Sequence, residues 1–366
     1  MKKNFVVLAW DNGNSNEKFI YRDLFGEISG VLFPSLTAEI FDNDILSGIQ
    51  ENNIFSKNNM KLDFEGNTYC VGKLAQEQDS KGGVRDQLTD KYKTSSTISK
   101  LLAGVSLILK DLNLTDINLI NIENLMLGLS INMYEKHRKE IINFYKNSSF
   151  TFKIPLKNGY KEYTLSIQNV YCIAQGVGAF YDEVLEFSGY PKRADLLKKR
   201  YLLIDGGGGT TEYFIADGKK PIFGTGACIS MGANDIFEKV GTLFNNAPGQ
   251  IIEKVYRESD SHQYWGSKEP LPVEKIQDYI SELFQERSRH IYQTITNDLK
   301  EHLNRVGTVL VCGGIVDYIY IFLQELFNDR FEVIRSNHPI FSNARGYYKY
   351  YKLINLKKNL KKVNKI

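Results

Sequence analysis

The chain has 366 residues, 42% of them hydrophobic and 24% charged, with a formal net charge of +3. That balance excludes a disordered chain and a dedicated nucleic-acid binder, and the length admits two domains, since single cores seldom grow past about 250–300 residues. Cys70, Cys172, Cys228 and Cys312 lie far apart with no C-x-x-C pair, which argues against a zinc site or thiol-redox motif and for reduced thiols in a cytoplasm.

The opening "MKKNFVVLAWD" has an apolar run too short for a signal peptide, and Asp11 ends it without a small-residue cleavage site. No segment approaches the roughly 18 apolar residues of a membrane span. The expectation is a soluble, cytoplasmic protein. The first predicted strand, Asn4 to Trp10, is nearly all apolar, as in a sheet covered on both faces. "KFIYRD" and "ISGVLF" continue it as a three-stranded meander. Residues 35–95 change character: "DNDILSGIQENNIFSKNNM" is irregular, and "KLDFEGNTYCVGKLA" reads as a hairpin turning at Glu65–Asn67. This stretch is expected to cap one side of the first domain as an insertion.

In "SSTISKLLAGVSLILKDL", Ile98, Leu101, Leu102, Val105, Ile108, Leu109 and Leu112 recur at helical spacing and predict an amphipathic helix. A strand ("IENLMLGLSI"), a helix ("YEKHRKEIINFYKN") and a hairpin turning at Asn158–Gly159 follow. "CIAQGVGAFYDEVLEF" reads as a further helix. The second half restarts the pattern with "RYLLIDGGGGTTEYFIADGKKPIFGTG": a buried strand, an Asp with a Gly-rich turn, then two more strands. Helices are expected over about 230–305. "VGTVLVCGGIVDYIYIFLQEL" supplies a buried strand that breaks at Gly313–Gly314 into a helix, "RFEVIR" a last strand, and a helix closes the chain from about Asn343. The two halves read as a duplication opening on the same strand–Asp–Gly device, with domains over 1–172 and 173–366. The C-terminal "YKLINLKKNLKKVNKI" carries Leu353, Leu356, Leu360 and Val363 on one stripe. Either a membrane-surface helix or a docked terminal helix fits that pattern.

A plain hairpin would account for Asn12, Gly13, Asn14, Ser15 and Asn16 after Asp11, because Asn and Gly tolerate positive φ. It would not account for a similar device at Asp205. There, Gly206, Gly207, Gly208 and Gly209 allow close backbone approach and an amide nest for anions, and Thr210 and Thr211 add hydroxyls. An acid beside an anion nest calls for a cation between them. Mg²⁺ bridged to phosphate fits, since it keeps its waters and needs only one or two carboxylates. In the first loop, Ser15 and the amides would cradle phosphate, Lys18 would neutralise it, and Asp11 would hold a metal-bound water. The G-x-x-x-x-G-K-[ST] pattern is absent. Gly313–Gly314 suits adenosine lying against a helix N-terminus, or any tight strand-to-helix turn. Gly232 in "SMGANDIF" flanks a ribose or simply caps a helix.

The set "DNGNSNEK", "IDGGGGTT" and "VCGGIVDY" resembles the phosphate 1, phosphate 2 and adenosine motifs of the actin-like ATPase superfamily. "EGNTYCVGKLA", "AQGVGAFYD" and "FSNARGYYKY" resemble its ParM-type plasmid-segregation branch. The resemblance implies an α/β, duplicated actin-like (ribonuclease H-like) fold: two domains around a nucleotide cleft, each with an inserted subdomain (about 35–95 and 230–305). It implies ATP, or GTP, with Mg²⁺ held largely through waters by Asp11 and Asp205, Lys18 on phosphates, and Gln175 positioning the water. Gln175 stands where some members carry Glu. It further implies slow hydrolysis linked to polymerisation into filaments, and plasmid DNA segregation through an adaptor, with no direct nucleic-acid or membrane contact. The rivals are a metabolic kinase of the same superfamily, for which no further candidate base is evident, and a chaperone-type ATPase.

Overall fold

The computed structural model describes residues 2–40, 54–78, 91–157, 159–218, 220–222, 224–259 and 270–363. Much of the irregular Asn-rich stretch, the turn residue Asn158 and part of the helix-rich segment lie outside these. The strands are β1 (Lys2–Phe5), β2 (Leu8–Asn12), β3 (Asn16–Arg22), β4 (Ile28–Pro34), β5 (Thr37–Ile40), β6 (Met60–Phe64), β7 (Asn67–Val71), β8 (Leu119–Leu129), β9 (Ser149–Leu156) and β10 (Gly159–Ala174). β11 (Arg200–Gly206), β12 (Thr211–Asp217), β13 (Lys220–Pro221), β14 (Ala227–Ile229), β15 (Thr308–Cys312) and β16 (Glu332–Arg335) follow. The helices are α1 (Lys73–Gln78), α2 (Ser95–Asp111), α3 (Ile131–Tyr145), α4 (Val177–Val184), α5 (Ala233–Leu243), α6 (Gly249–Glu258), α7 (Val273–Asp298), α8 (Lys300–Leu303), α9 (Val316–Phe327) and α10 (Ser342–Val363).

Two compact units emerge, Met1–Tyr190 with Asn343–Ile366, and Pro191–Ser342. The division falls at Tyr190/Pro191, not at 172/173, because Cys172 lies inside β10 and α4 stays with the first unit. In the first unit the strand order is β4-β3-β2-β8-β10-β9-β6-β7-β5, with β1 also on β8. In the second it is β13-β12-β11-β15-β16, with β14 on β12. Both begin with an antiparallel meander whose first strand carries a parallel neighbour, β2 on β8 and β11 on β15. The third, second and first strands of each half therefore lie beside the fourth and fifth, and this is the duplication in physical form.

Several expectations change in detail. The single strand over Asn4–Trp10 is two, β1 and β2, in one register on β8: Phe5 faces Ile122 and Leu8 faces Leu125. The Asn124 amide spans the break by donating to the Val6 carbonyl at 2.8 Å. The described strands within 35–95, β5, β6 and β7, extend the sheet, because β6 pairs with β9 through Asp63–Lys153 and Phe64–Phe152. Its hairpin turns at Glu65 (φ 53°) and Gly66 (φ 83°), the double left-handed turn that suits strand twist. The helix α2 is buried on every side from Thr97 to Leu109, not on one stripe. Its polar residues are satisfied internally: Ser106 donates to Leu102 O at 2.8 Å, and Lys100 reaches Ser35. The helix expected over 172–187 is shorter. β10 runs through Ala174, and α4 begins only after Gly176, whose φ of 81° ends the strand. The terminal helix α10 docks on the first unit, burying Ala344, Tyr347, Tyr348 and Tyr351.

The first core gathers around Trp10, whose ring stacks on Phe19 at 5.9 Å with Phe33 beyond. The second core wraps β11, β12 and β15 with apolar residues of α5, α6, α7 and α9, including Phe237, Phe284 and Tyr318. Among the described residues, no helix is long and apolar enough to cross a membrane.

Candidate functional site

In the first unit the apolar β2 delivers Asp11 and Asn12 to its C-terminal end, where both are 1% exposed. A carboxylate buried so far requires partners. Asp11 Oδ2 is paired with Lys18 Nζ at 2.8 Å, and Oδ1 accepts from Gln175 Nε2 at 3.0 Å. Lys18 arrives there by strand pairing, since Asp11 faces Lys18 across the β2–β3 ladder. Gln175 arrives as the residue after β10, its backbone N–H donating to Leu129 O at 2.6 Å. Two of the expected residues, Lys18 and Gln175, thus converge on the carboxylate of a third. Gln175 precedes α4 and does not belong to it.

The loop between Asn12 and Asn16 uses no left-handed residue, contrary to the hairpin argument from Asn and Gly. Its shape comes from a tie to the neighbouring strand end: Ser35 N donates to Ser15 O at 2.9 Å. At Gly13 a Cβ would lie 2.9 Å from Lys18 Nζ and 2.8 Å from Asn16 O, so a side chain would displace the lysine. The Asn12 carboxamide and the Ser15 hydroxyl are buried with no hydrogen-bond partner among the described residues. Buried polar groups rarely stay unsatisfied unless a ligand or water completes them.

Beneath this loop lies a network that sequence reasoning missed. Glu17, fully buried, accepts from Trp10 Nε1 at 2.7 Å and Ser35 Oγ at 2.6 Å, and faces Lys100 Nζ at 3.4 Å. Because Ser35 also holds the loop backbone, the network links α2 to the loop's position. Nothing in the local pattern signals a pairing between residues so distant in sequence.

In the second unit β11 carries Asp205 to its end, opposite Glu212 on β12 and Cys312 on β15. Gly313 turns the chain out of β15 at φ 95° and packs so closely that a Cβ would overlap Asp205 Oδ1. Only glycine satisfies both demands. A Cβ on Gly314 would meet nothing within 4 Å. None of Gly206–Gly209 adopts a left-handed φ, so the positive φ that glycine would permit is not used. They serve close approach instead: Gly206 O accepts from Ile315 N at 3.1 Å, and Gly208 O from Asn234 N at 2.9 Å. Gly232, the N-cap of α5, lies against Gly208 with no room for a side chain. The Thr210 carbonyl accepts from Gly207 N at 2.8 Å to close the turn. Thr211 spends its hydroxyl on Met231 O at 2.8 Å, so it is not the expected loop donor.

Arg287 on α7, unforeseen, donates to Gly232 O at 3.1 Å. Burial lowers its pKa, against the pull of Asp235 and Glu286. Near the start of α9 an open pocket is lined by Tyr256, Arg257, Gln277, Asp278, Asp317 and Tyr318. The Arg257 guanidinium lies 5.1 Å over the Tyr318 ring, and Asp317 is ion-paired to Arg335. The Tyr318 hydroxyl is buried without a partner among the described residues, and burial pushes its pKa up. Such a wall of rings and polar side chains suits a flat heteroaromatic ligand. Its residues come from three helices, beyond the reach of motif reading.

Among the described residues there is no group of three or more His, Cys, Asp or Glu able to hold a metal. A Mg²⁺ that keeps its waters needs only one or two carboxylates, and the buried Asp11 is one such donor.

Residues 9–178 match the family model for the N-terminal domain of actin-like proteins, and residues 203–325 that for the C-terminal domain of archaeal MreB-like actin homologues. No curated protein sequence matches the chain. Among solved structures, the fold is similar to actin-like protein Alp7A, with 15% identity, all of both chains covered and a TM-score of 0.79. A ParM from Bacillus thuringiensis with ATP gives 14% identity over 97% of this chain and 100% of that one, TM-score 0.68. A non-polymerisable quadruple mutant of pCBH ParM gives 20% identity over 96% and 99%, also at 0.68.

Proposed function

This chain belongs to the actin-like proteins, and from that premise we propose that it binds ATP with Mg²⁺, hydrolyses it slowly and assembles into nucleotide-dependent filaments. The cargo is plasmid DNA, engaged through a DNA-binding adaptor. The observation that carries the reading is the first loop: a buried carboxamide and hydroxyl without partners, beside a lysine and a glutamine both held by Asp11. Phosphoryl transfer asks the protein mainly for positioning and charge neutralisation, and that loop supplies both. Asn12 and Ser15 donate to phosphate oxygens, Lys18 offsets their charge, and Gln175 orients the attacking water. Asp205, at the matching strand end of the second unit, serves the same nucleotide. The pocket at Tyr256, Arg257 and Tyr318 takes the base. Asp11 and Asp205 would hold a Mg²⁺ through its waters, and the ion would supply charge neutralisation at the phosphates.

The neighbour solved with ATP supports the choice of nucleotide, and the one described as a non-polymerisable mutant supports assembly. GTP would use the same phosphate contacts. Light scattering and pelleting with Mg-ATP, Mg-ADP and no nucleotide test the function. Polymer that forms with ATP and decays as phosphate is released is the expected result. A persistent monomer that transfers phosphate to a sugar would replace the filament with a kinase.

A further inference from the structure

The helix α4 begins without a side chain of its own to cap it. Its N-cap is Gly176, which makes no side-chain cap bond, and all residues from Val177 to Val184 are buried. The first amides of a helix have no partner within it, and burial removes water as the substitute. The acceptor comes from far along the chain. Asn343 Oδ1, in the first turn of α10, accepts from Gly176 N at 2.8 Å and from Ala179 N at 3.2 Å.

Gly176 directly follows Gln175. The backbone of Gln175 is tied to Leu129 O at 2.6 Å, and its side chain reaches Asp11 Oδ1 at 3.0 Å. One flank of Gln175 is therefore fixed by β8 and the other, through Gly176, by Asn343. Two further contacts join α10 to α4. Gly178 and Gly346 bring α4 and α10 into backbone contact, a Cβ on Gly178 being 2.7 Å from Asn343 O. Asp182 then binds Arg345 at 3.1 Å and Lys349 at 2.8 Å.

We propose that Asn343 is a positioning residue for nucleotide hydrolysis: it caps α4 from a distance and so fixes Gln175 where it can orient the attacking water. The proposal rests on the hydrolysis reading above. A single neutral acceptor serves two amides, so a carboxylate of the same length would also serve, and would be favoured by the helix dipole.

Steady-state ATP hydrolysis by the full chain and its variants is the test. Asn343→Leu removes the acceptor at similar volume. It is expected to lower kcat by about 10- to 100-fold, as a misplacement of about 1 Å can, with KM changed by less than about twofold. Asn343→Asp restores kcat. Lys349→Met loosens α10 without touching the cap, so it lowers Tm and leaves kcat alone. In a Gln175→Ala background Asn343→Leu has no further effect on kcat, because the group it positions is gone. Hydrogen exchange at Gly176 and Ala179 accelerates in Asn343→Leu. If that variant does not fold, Asn343→Ala takes its place with the same expectations. Wild-type kcat in the acceptor-less variant, an equal loss in Lys349→Met, or multiplicative losses with Gln175→Ala would overturn the proposal alone. A wild-type chain without hydrolysis would overturn it together with the reading it rests on.

Discussion

Gly346→Ala isolates the crossing of α4 and α10. Taken alone, Ala in a helix interior is worth about 1 kcal/mol over Gly, so local propensity favours the change. The structure opposes it. The new methyl would overlap the Gly178 carbonyl oxygen and lie 2.9 Å from its Cα, against backbone that cannot swing aside. Ordinary contact would require the helices to part by roughly 1.5 Å. That movement would stretch the Asn343 bonds to Gly176 and Ala179 from 2.8 and 3.2 Å beyond hydrogen-bonding range. Two buried amides left unpaired cost about 1–3 kcal/mol each. Overpacking adds about 1–3 kcal/mol where the bonds survive. After the helical gain, the net expectation with both bonds lost is about 1–5 kcal/mol less stability in urea unfolding. A variant as stable as wild type, or more so, would show that the helices do not meet as described.

Lys100→Met leaves Glu17 buried without its cation and is expected to cost about 3–5 kcal/mol. The double change Lys100→Met with Glu17→Gln recovers more than half of it, by the same urea assay; no recovery would mean that the two do not act as a pair. Asp205→Ala is expected to abolish ATP hydrolysis in a phosphate-release assay while unfolding as wild type does. Turnover within about twofold of wild type would remove Asp205 from the mechanism. The Cys70 thiol is pushed from 9.0 up to about 11 by burial, with Lys61 pulling the other way. The folded chain keeps that proton while the unfolded chain loses it. This contribution to stability is therefore present below pH 9 and lost as pH rises through about 11. Cys70→Ala should flatten the decline over that window; an unchanged slope in urea midpoints would refute it.

What was legible in the sequence was whatever local pattern carries. An apolar run ending in Asp11 or Asp205 marks a buried strand reaching its end, and the repeat of that device exposed the duplication. Turn chemistry located Glu65–Gly66 for the same reason. Asp11 and Lys18 were readable as neighbours because a tight β2–β3 connection sets their register. Less was legible where partners are remote. The pairing of Glu17 with Lys100, the capping of Gly176 by Asn343 and the pocket at Tyr256 and Tyr318 join residues that only tertiary packing brings together. Periodicity also misled: α2 reads as amphipathic, yet Lys100 and Ser106 point into satisfied interior sites. Through Cys172–Ala174 a β10 strand ran where a helical pattern was read, since short apolar runs do not distinguish the two. The four glycines invited an anion nest, but none adopts a left-handed φ, and at Gly206 the reason is the space taken by Ile315.

The claim that two loops serve one nucleotide is tested most directly by calorimetric titration of Mg-ATP into the wild-type chain, Ser15→Ala and Asp205→Ala. One ATP per chain, bound more weakly after a change in either loop, is the expected result. Two independent sites, or an affinity indifferent to the second loop, would contradict it.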